Sequence, residues 1–123
     1  MLGDLKLLTM AGALARHAAA RHEVLAGNIA NADTNGYRAK DLEPFTDTLA
    51  RTGSGAGLAD AASTSAWRIV DVSAPGLQSP NGNTVSLEDQ MVRSIEAQQS
   101  HEAATAIYKK TIDILRLTLG RGA

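Results

Sequence analysis

A helical repeat of small side chains in the first thirty residues constrains the fold more than any other feature. The segment Leu2 to Ala30 contains no proline, and its non-polar and small residues recur at alternating spacings of three and four, the pattern of a coiled-coil seam. A helix of this length extends roughly 40 Å. Since alanine buries little apolar area, such a helix requires a partner. The predicted seam is Leu8, Ala11, Ala15, Ala18, His22, Leu25 and Ile29.

The last part of the chain predicts a second long helix, from about Leu87 to Leu119. Ser86 followed by Asp89 forms a variant capping box at its start, and Gly120 and Gly122 predict its end. Its seam is apolar at both ends but polar or small in the middle, so the isolated helix would be marginal. That seam consists of Leu87, Met91, Ser94, Gln98, His101, Thr105, Tyr108, Ile112, Leu115 and Leu119.

Between the two helices the sequence changes character. Residues 31–38 are rich in turn formers and contain the dipeptide Asn35-Gly36. Pro44 and the apolar residues after it predict a short helix near residues 44–51. Residues 52–66 are mostly Gly, Ser, Thr and Ala, a composition typical of a flexible linker. Trp67 to Val72 has the composition of a strand, and a further turn is predicted over residues 80–83.

These elements predict one all-α assembly domain. The two long helices pair as an antiparallel, coiled-coil-like hairpin, and the middle is extended or flexible with short strand or turn elements. Residues 1–31 form the N-terminal helix, residues 32–85 the central segment and residues 86–123 the C-terminal helix. Aromatic residues are only 3% of the chain, so a compact core would be thin. The fold is therefore elongated, or neighbouring subunits complete it.

Composition excludes several classes of protein. Lys and Arg number 12 against 13 Asp and Glu, so the strongly basic balance of a nucleic-acid-binding protein is absent. Cysteine is absent, which excludes disulfides, cysteine-based zinc sites and a thiol nucleophile. Lys6 and the apolar residues 7–15 imitate a secretory signal. Because Asp4 lies in the would-be basic region and the helical repeat continues unbroken, we expect no cleavage.

No pattern of residues predicts catalysis, a cofactor, a metal site or a small-molecule substrate. His17 and His22 are five residues apart and do not share a helix face as an i, i+4 metal pair would. The glycines of residues 53–57 are not followed by the Lys-Ser or Lys-Thr of a phosphate-binding loop. Gly53-Ser54-Gly55 lacks the spacing of a nucleophile elbow.

The join between the first helix and its turn carries the most information. Asn28 and Asn31 are placed to bond the last carbonyls of the helix, and Asn31 also tolerates a left-handed cap. Gly36 permits a positive φ, and Tyr37 is placed to lay its ring back on the helix. Physical reasoning alone leaves two alternatives open here, an ordinary helix-terminating loop and a recognition element.

This stretch resembles the signature of bacterial flagellar basal-body rod and hook axial proteins. That signature runs Asn-Ile-Ala-Asn, then an Asp- or Asn-Thr step, then Gly-Tyr and a basic residue. Asn35 departs from it, since the family usually has proline there, although Asn-Gly also turns well. The C-terminal helix and the short chain are most similar to a proximal rod subunit. The matching residues are Asn28, Ile29, Ala30, Asn31, Asp33, Thr34, Gly36, Tyr37 and Arg38.

The resemblance implies a structural subunit of the rod, a hollow helical polymer that crosses the periplasm and transmits torque for motility. Its implied partners are copies of itself, other rod subunits, the adaptor between membrane ring and rod, and the export gate. Export would use the flagellar type III apparatus without a cleaved signal. Two alternatives stay open, the other short proximal rod subunit and a cytosolic helical adaptor or chaperone.

Two groups of residues are expected to carry that role. The assembly loop contains the matching residues from Asn28 to Arg38. The expected helix-packing residues are Leu8, Ala11, Ala15, Ala18, Leu25, Ile29, Met91, Tyr108, Ile112, Leu115 and Leu119.

Overall fold

The computed structural model describes residues 2–52, 67–73 and 78–121, so most of the predicted linker lies outside the described residues. Within these ranges, three helices and two short strands follow each other. Among these residues no helix combines the length and apolarity needed to cross a bilayer. The elements are α1 (Leu2–Ala30), β1 (Lys40–Leu42), α2 (Phe45–Thr52), β2 (Ile69–Asp71) and α3 (Leu87–Arg121).

The two long helices pack against each other in opposite directions. Asn28, near the end of α1, lies 2.8 Å from Gln90, near the start of α3. Arg21 lies 3.1 Å from Glu96, so moving back along α1 corresponds to moving forward along α3. The predicted antiparallel helix pair is confirmed, and it forms the body of the molecule. At 1.5 Å per residue the helices extend roughly 43 and 52 Å.

The buried face of α1 differs in part from the predicted seam. The seven-residue repeat of Ala11, Ala18 and Leu25 is buried. At the intervening positions only the last is displaced, since Asn28 is buried and Ile29 exposed, whereas Ala15 and His22 are half-buried as predicted. Ile29 is 45% exposed, so its expected place between the two helices of one chain is wrong. At this face α1 also packs on β1, where Arg21 and Asn28 bond to Asp41 and Lys40.

The buried face of α3 is displaced from its predicted seam. Its buried residues recur every seven positions and are small or polar, which allows the backbones of the two helices to approach closely. The predicted line ran one residue later, about 100° around the helix. Met91 and Leu119 were expected inside and are exposed by 63% and 60%. The buried repeat is Gln90, Ala97, Ala104 and Thr111.

The ends of α3 follow the prediction only in part. Ser86 Oγ accepts a hydrogen bond from the Asp89 N–H at 3.3 Å, as expected at an N-cap. The Asp89 carboxylate pairs with Arg93 at 2.8 Å, and among the described residues it makes no bond back to the Ser86 backbone that would complete the capping box. Gly120 does not end the helix, which continues to Arg121, and Gly122 lies outside the described residues.

A two-stranded antiparallel sheet lies beside the helix pair. Lys40 of β1 pairs with Asp71 of β2, and Leu42 pairs with Ile69. The strand predicted within residues 67–72 is confirmed as β2. Its partner β1 was not predicted, because three residues show no recognisable alternation.

The predicted short helix is confirmed as α2. The Pro44 carbonyl accepts from the N–H groups of Asp47 and Thr48 at 3.0 and 3.2 Å. Pro44 therefore lies at the helix start, where its missing N–H costs nothing.

Candidate assembly site

Asn28 joins four parts of the chain at the end of α1. Its side chain is fully buried. Nδ2 donates to the Lys40 carbonyl at 2.6 Å and to Gln90 Oε1 at 2.8 Å. Oδ1 accepts from the Lys40 N–H at 3.0 Å and from the Tyr37 hydroxyl at 3.2 Å. Both donors and both acceptor positions of the amide are used, so Asn28 holds α1, the loop, β1 and α3 together.

Gln90 is the partner of Asn28 on α3 and is also fully buried. Its Oε1 accepts from Asn28, whereas its Nε2 has no hydrogen-bond partner within the described part of the chain. A polar pair between two helices lowers stability and fixes their register, because any other alignment leaves more buried polar groups unpaired. The pair therefore sets the alignment of α1 with α3.

Asn83 has the same role in the turn before α3. It is 1% exposed, and its Nδ2 donates to the carbonyls of Asn31 and Thr34 at 2.8 and 2.7 Å. Its Oδ1 accepts from the Val85 N–H at 2.8 Å. Asn83 therefore joins the loop after α1 to the chain that enters α3.

Two glycines allow these turns to pack together. Gly36 and Gly82 have φ values of 74° and 84°, in the left-handed region that favours glycine. The Gly36 N–H donates to the Asn81 carbonyl at 2.9 Å. A Cβ placed on Gly82 would lie 3.4 Å from the Gly36 Cα. Since that distance is an ordinary van der Waals contact, the positive φ values, rather than lack of space, favour glycine at both positions.

The other loop residues divide into turn-forming and exposed side chains. Asn31 Nδ2 donates to the Gly27 carbonyl at 2.8 Å, but Asn31 has no positive φ, so the left-handed cap considered for it is wrong. The Thr34 hydroxyl donates to Asn31 Oδ1 at 3.0 Å. Asp33 and Arg38 are exposed. Side chains rather than unusual backbone angles therefore organise the turn up to Gly36.

A buried charge cluster lies next to this junction. Asp41 is 2% exposed, and its carboxylate accepts from Arg21 Nε and Nη2, each at 2.9 Å, and from Arg93 Nη1 at 2.8 Å. Burial alone would lower the pKa of Arg21, but the hydrogen bonds and charges of Asp41 and Glu96 raise it above its ordinary value. Arg21 therefore stays charged, and one carboxylate of β1 holds cations from both long helices.

His17 anchors α2 and the sheet to α1. It is 6% exposed, and its Nε2 lies 2.8 Å from the Glu43 carbonyl. Its ring packs edge-on against Phe45 and Trp67, with ring centres 5.6 and 5.5 Å apart. Burial lowers the pKa of His17, which outweighs the opposing effect of the Glu43 carbonyl. Since a carbonyl only accepts, the neutral ring carries its proton on Nε2.

The Glu43 side chain fixes the start of α2. Its Oε1 accepts from the Thr48 hydroxyl at 2.9 Å, from Arg51 Nη2, and from the Arg68 N–H at 3.2 Å. Burial alone would raise the pKa of Glu43, but these hydrogen bonds and the Arg51 charge lower it below its ordinary value. The carboxylate therefore joins α2 to the chain that enters β2.

We expect acidification to weaken the fold through His17. Its pKa is lower in the folded chain than the ordinary 6.5. Its contribution to stability is therefore complete above pH 6.5 and is lost as the pH falls toward the folded pKa, because only the unfolded chain takes up the proton. His17→Asn removes the titrating group, so the loss of helix content between about pH 6.5 and 5 should become smaller. Far-UV circular dichroism across a pH series measures this loss of helix content.

His101→Asn is the matched control for this prediction, because His101 is exposed on α3. It should keep the wild-type pH dependence. If both variants behave like the wild type, His17 does not carry the effect.

A groove of about 610 Å³ lies between α1, α3 and the sheet. Its charged lining includes Arg21 and Arg93, which both already pair with Asp41. Among the described residues no group of three or more His, Cys, Asp or Glu side chains is placed to hold a metal ion. The charged side chains of the groove therefore already have partners within the chain, and their role is structural.

Large apolar side chains remain exposed along both long helices. On α1, Leu5 is 51% exposed and Leu7 is 42% exposed. Tyr108, expected in the helix packing, is 43% exposed and lines a cavity with Leu5 and Leu8. Ile112 and Leu115 are partly buried. The exposed apolar residues of α3 are Leu87, Met91, Val92, Ile95, Ile107, Ile114, Leu117 and Leu119.

Sequence reasoning missed several residues that hold the site together. Arg21, Asp41 and Arg93 come from three separate segments, and no spacing along the chain relates them. Asn83 was recognised as part of a turn, but its contact with the loop 52 residues earlier was not. A polar residue inside a helical seam, such as Gln90, is the one signal that could have indicated a register-setting contact.

A paired helical frame with a polar junction and outward apolar side chains defines an α-helical protein with a large exposed apolar surface. Residues 7–38 match the family model described as "Flagella basal body rod protein". The flagellar basal body rod protein FlgB of Agrobacterium fabrum (strain C58) is 28% identical over 128 residues, covering 95% of each chain. Over these ranges the chain is similar to flagellar basal body rod proteins, and the similarity supports a structural role in the rod.

Proposed function

We propose that this chain is a subunit of the proximal part of the rod, in the role of its relative FlgB. It polymerises with other rod proteins into the hollow, periplasmic drive shaft that transmits torque to the outer parts of the flagellum. The observation that carries this proposal is the distribution of apolar side chains. Apart from Leu25, small and polar residues fill the buried face of the helix pair, and most large apolar residues of the two helices face outward.

The energetics of the single chain support assembly. Ordering a residue costs on the order of 1–2 kcal/mol for the backbone alone, whereas burying an alanine returns little at about 25 cal/mol per Å². Met91, Ile95 and Leu117 are more than half exposed and supply apolar area only when another subunit covers them. Folding and assembly are therefore coupled. Contacts between different faces of successive copies produce an open helical polymer.

A role in the proximal rod also implies particular partner proteins. We infer contacts with the adaptor between the membrane ring and the rod, and with the export gate through which rod subunits leave the cell. Ala11 and Ala13 are buried within α1, so cleavage near residue 15 would remove part of the helix pair. This favours export by the flagellar type III apparatus without a cleaved signal.

The coupling of folding to assembly is tested in solution. At micromolar concentration the purified chain should show low helicity that rises with protein concentration, because the outward faces are covered only in the polymer. Far-UV circular dichroism and sedimentation over a concentration series measure both quantities. A monomer that is fully helical and melts in one sharp transition would contradict the proposal.

The position in the rod is tested in cells. In a flagellated bacterium that lacks its FlgB, this chain should restore swimming and should crosslink to the ring–rod adaptor in isolated basal bodies. A chain that stays in the cytosol while the cell exports other rod subunits would instead indicate an adaptor or chaperone.

Gly36→Val should prevent rod assembly and swimming while the protein is still expressed. Valine at φ 74° is strained, and the strain lies where the loop meets the turn of Gly82. Swimming on soft agar and the rod content of basal bodies measure the effect. Gly3→Val is the matched control, because no atom lies within 4 Å of its added Cβ. Normal swimming of the Gly36 variant would refute the role of the loop.

A further inference from the structure

The first half of α3 carries an exposed stripe with acidic residues at both ends. Its members follow each other at alternating spacings of three and four and therefore share one helix face. All are exposed, and the two apolar members in the middle are exposed by 63% and 55%. We call it the acidic stripe: Glu88, Met91, Ile95, Gln98 and Glu102.

The second half of α3 carries a different stripe. Ile107, Lys110, Ile114 and Leu117 are also spaced by three and four residues and share one face. The three apolar members are exposed by 41%, 52% and 65%, and Lys110 is exposed among them. We call it the basic stripe.

The two halves of α3 also carry opposite charge. Residues 87–104 contain four acidic side chains against one basic, and residues 105–120 contain three basic against one acidic. Each stripe therefore has exposed apolar side chains that could cover those of the other stripe, and the charged side chains of the two stripes have opposite signs. Such complementarity favours one specific contact and disfavours the contact of a stripe with its own copy.

The stripes cannot meet within one chain, because they lie on different parts of the same straight helix. At 100° per residue they point about 100° apart around α3. The basic stripe of one copy therefore remains available when its acidic stripe is occupied. A contact of this type is heterologous and continues from copy to copy.

We propose that the acidic stripe of one copy packs on the basic stripe of the next copy of this chain. The apolar residues become covered, and Lys110 lies nearest the Glu88 carboxylate of the neighbour. The stripe centres are 17 residues apart, so successive copies in the same orientation are offset by roughly 25 Å along α3. This inference rests on the proposed rod function and names the surfaces through which copies join.

Cysteine pairs test the contact directly, because the chain has no cysteine of its own. Ile95→Cys and Ile114→Cys are purified separately and mixed under oxidising conditions at a concentration where helicity has risen. A disulfide-linked dimer is expected in the mixture and not with either variant alone. A dimer formed by the Ile95 variant alone, or no mixed dimer, would overturn the proposed pairing.

Charge reversal tests the polar part. Lys110→Glu should lower the yield of mixed dimer about tenfold at low salt, because it places like charges together. Glu88→Lys in the partner should recover most of that yield. Lys109→Glu is the matched control, since it makes the same charge change one residue away on another face. Equal losses for both lysine variants would overturn the role of Lys110.

Swimming separates this proposal from the proposed function. If the wild-type chain restores swimming in the FlgB-deficient cell but no mixed dimer forms in solution or in basal bodies, the rod role stands and the stripe contact is wrong. If the mixed dimer forms but the wild type neither restores swimming nor enters basal bodies, the contact stands and the rod role is wrong. A crosslink from position 95 only to a different rod subunit would also overturn the pairing between copies.

Discussion

Replacing Asn28 by leucine is expected to abolish rod assembly and to shift the helicity of the purified chain to much higher protein concentration. Leucine has nearly the same shape, but it leaves the N–H and carbonyl of Lys40, the Gln90 amide and the Tyr37 hydroxyl without their partner. Each buried group left unpaired costs about 1–3 kcal/mol. We expect a total loss of about 4 kcal/mol, which is exceptional for one substitution.

The matched control is Asn35→Ala in the same loop. Asn35 is exposed, and its Oδ1 accepts one side-chain bond, from Asn81 at 3.1 Å. Circular dichroism over a concentration series should give a near wild-type curve for the Asn35 variant and a strongly displaced curve for the Asn28 variant. Similar curves for both would show that the Asn28 network does not hold the junction.

The elements that the sequence predicted well are those with long periodicity or strong turn formers. The N-terminal helix was predicted from Leu2 to Ala30 and has those bounds. Pro44 marked the start of α2, and the turn over residues 80–83 contains Gly82 with its positive φ. These features depend on neighbouring residues alone, which is why a local pattern was sufficient.

The facing sides of the helices were predicted less well, because they depend on partners far along the chain. Counting apolar residues placed Ile29 and Met91 inside, whereas the buried neighbours of those positions are Asn28 and Gln90. A polar residue is favourable at a buried position only when a partner forms its hydrogen bonds, and the sequence does not show which residue that partner is. The partner of Asn28 on the small sheet, Lys40, gave no signal of its own.

The assembly site was likewise predicted only where the signal is local. Gly36 was expected to have a positive φ, and it does. Tyr37 was expected to contact the helix, and its hydroxyl lies 3.2 Å from Asn28 Oδ1. Asn28 was expected to bond the last carbonyls of α1, but it bonds Lys40 and Gln90 instead. The sequence thus located the junction without revealing which segments it joins.

The charge cluster at Asp41 joins the sheet to both long helices. Arg21 of α1 and Arg93 of α3 both donate to its nearly buried carboxylate, and the Leu42 N–H donates to Oδ1 at 2.7 Å. Removing one member of a fully buried, otherwise uncompensated ion pair costs about 3–5 kcal/mol. Here two like charges on different helices would remain at the same place, each with one other carboxylate, Glu96 for Arg21 and Asp89 for Arg93.

Asp41→Asn is therefore expected to separate α1 from α3 near the junction and to prevent assembly. The amide keeps the shape of the side chain but removes the charge that holds the two guanidinium groups together. Asp71→Asn is the matched control, because Asp71 pairs with Arg38 at 2.7 Å on the exposed surface, where an ion pair adds little. Helicity against protein concentration and swimming in the FlgB-deficient cell measure both variants. If Asp41→Asn assembles as well as Asp71→Asn, the cluster does not couple the helices, and the junction depends on the asparagine network alone.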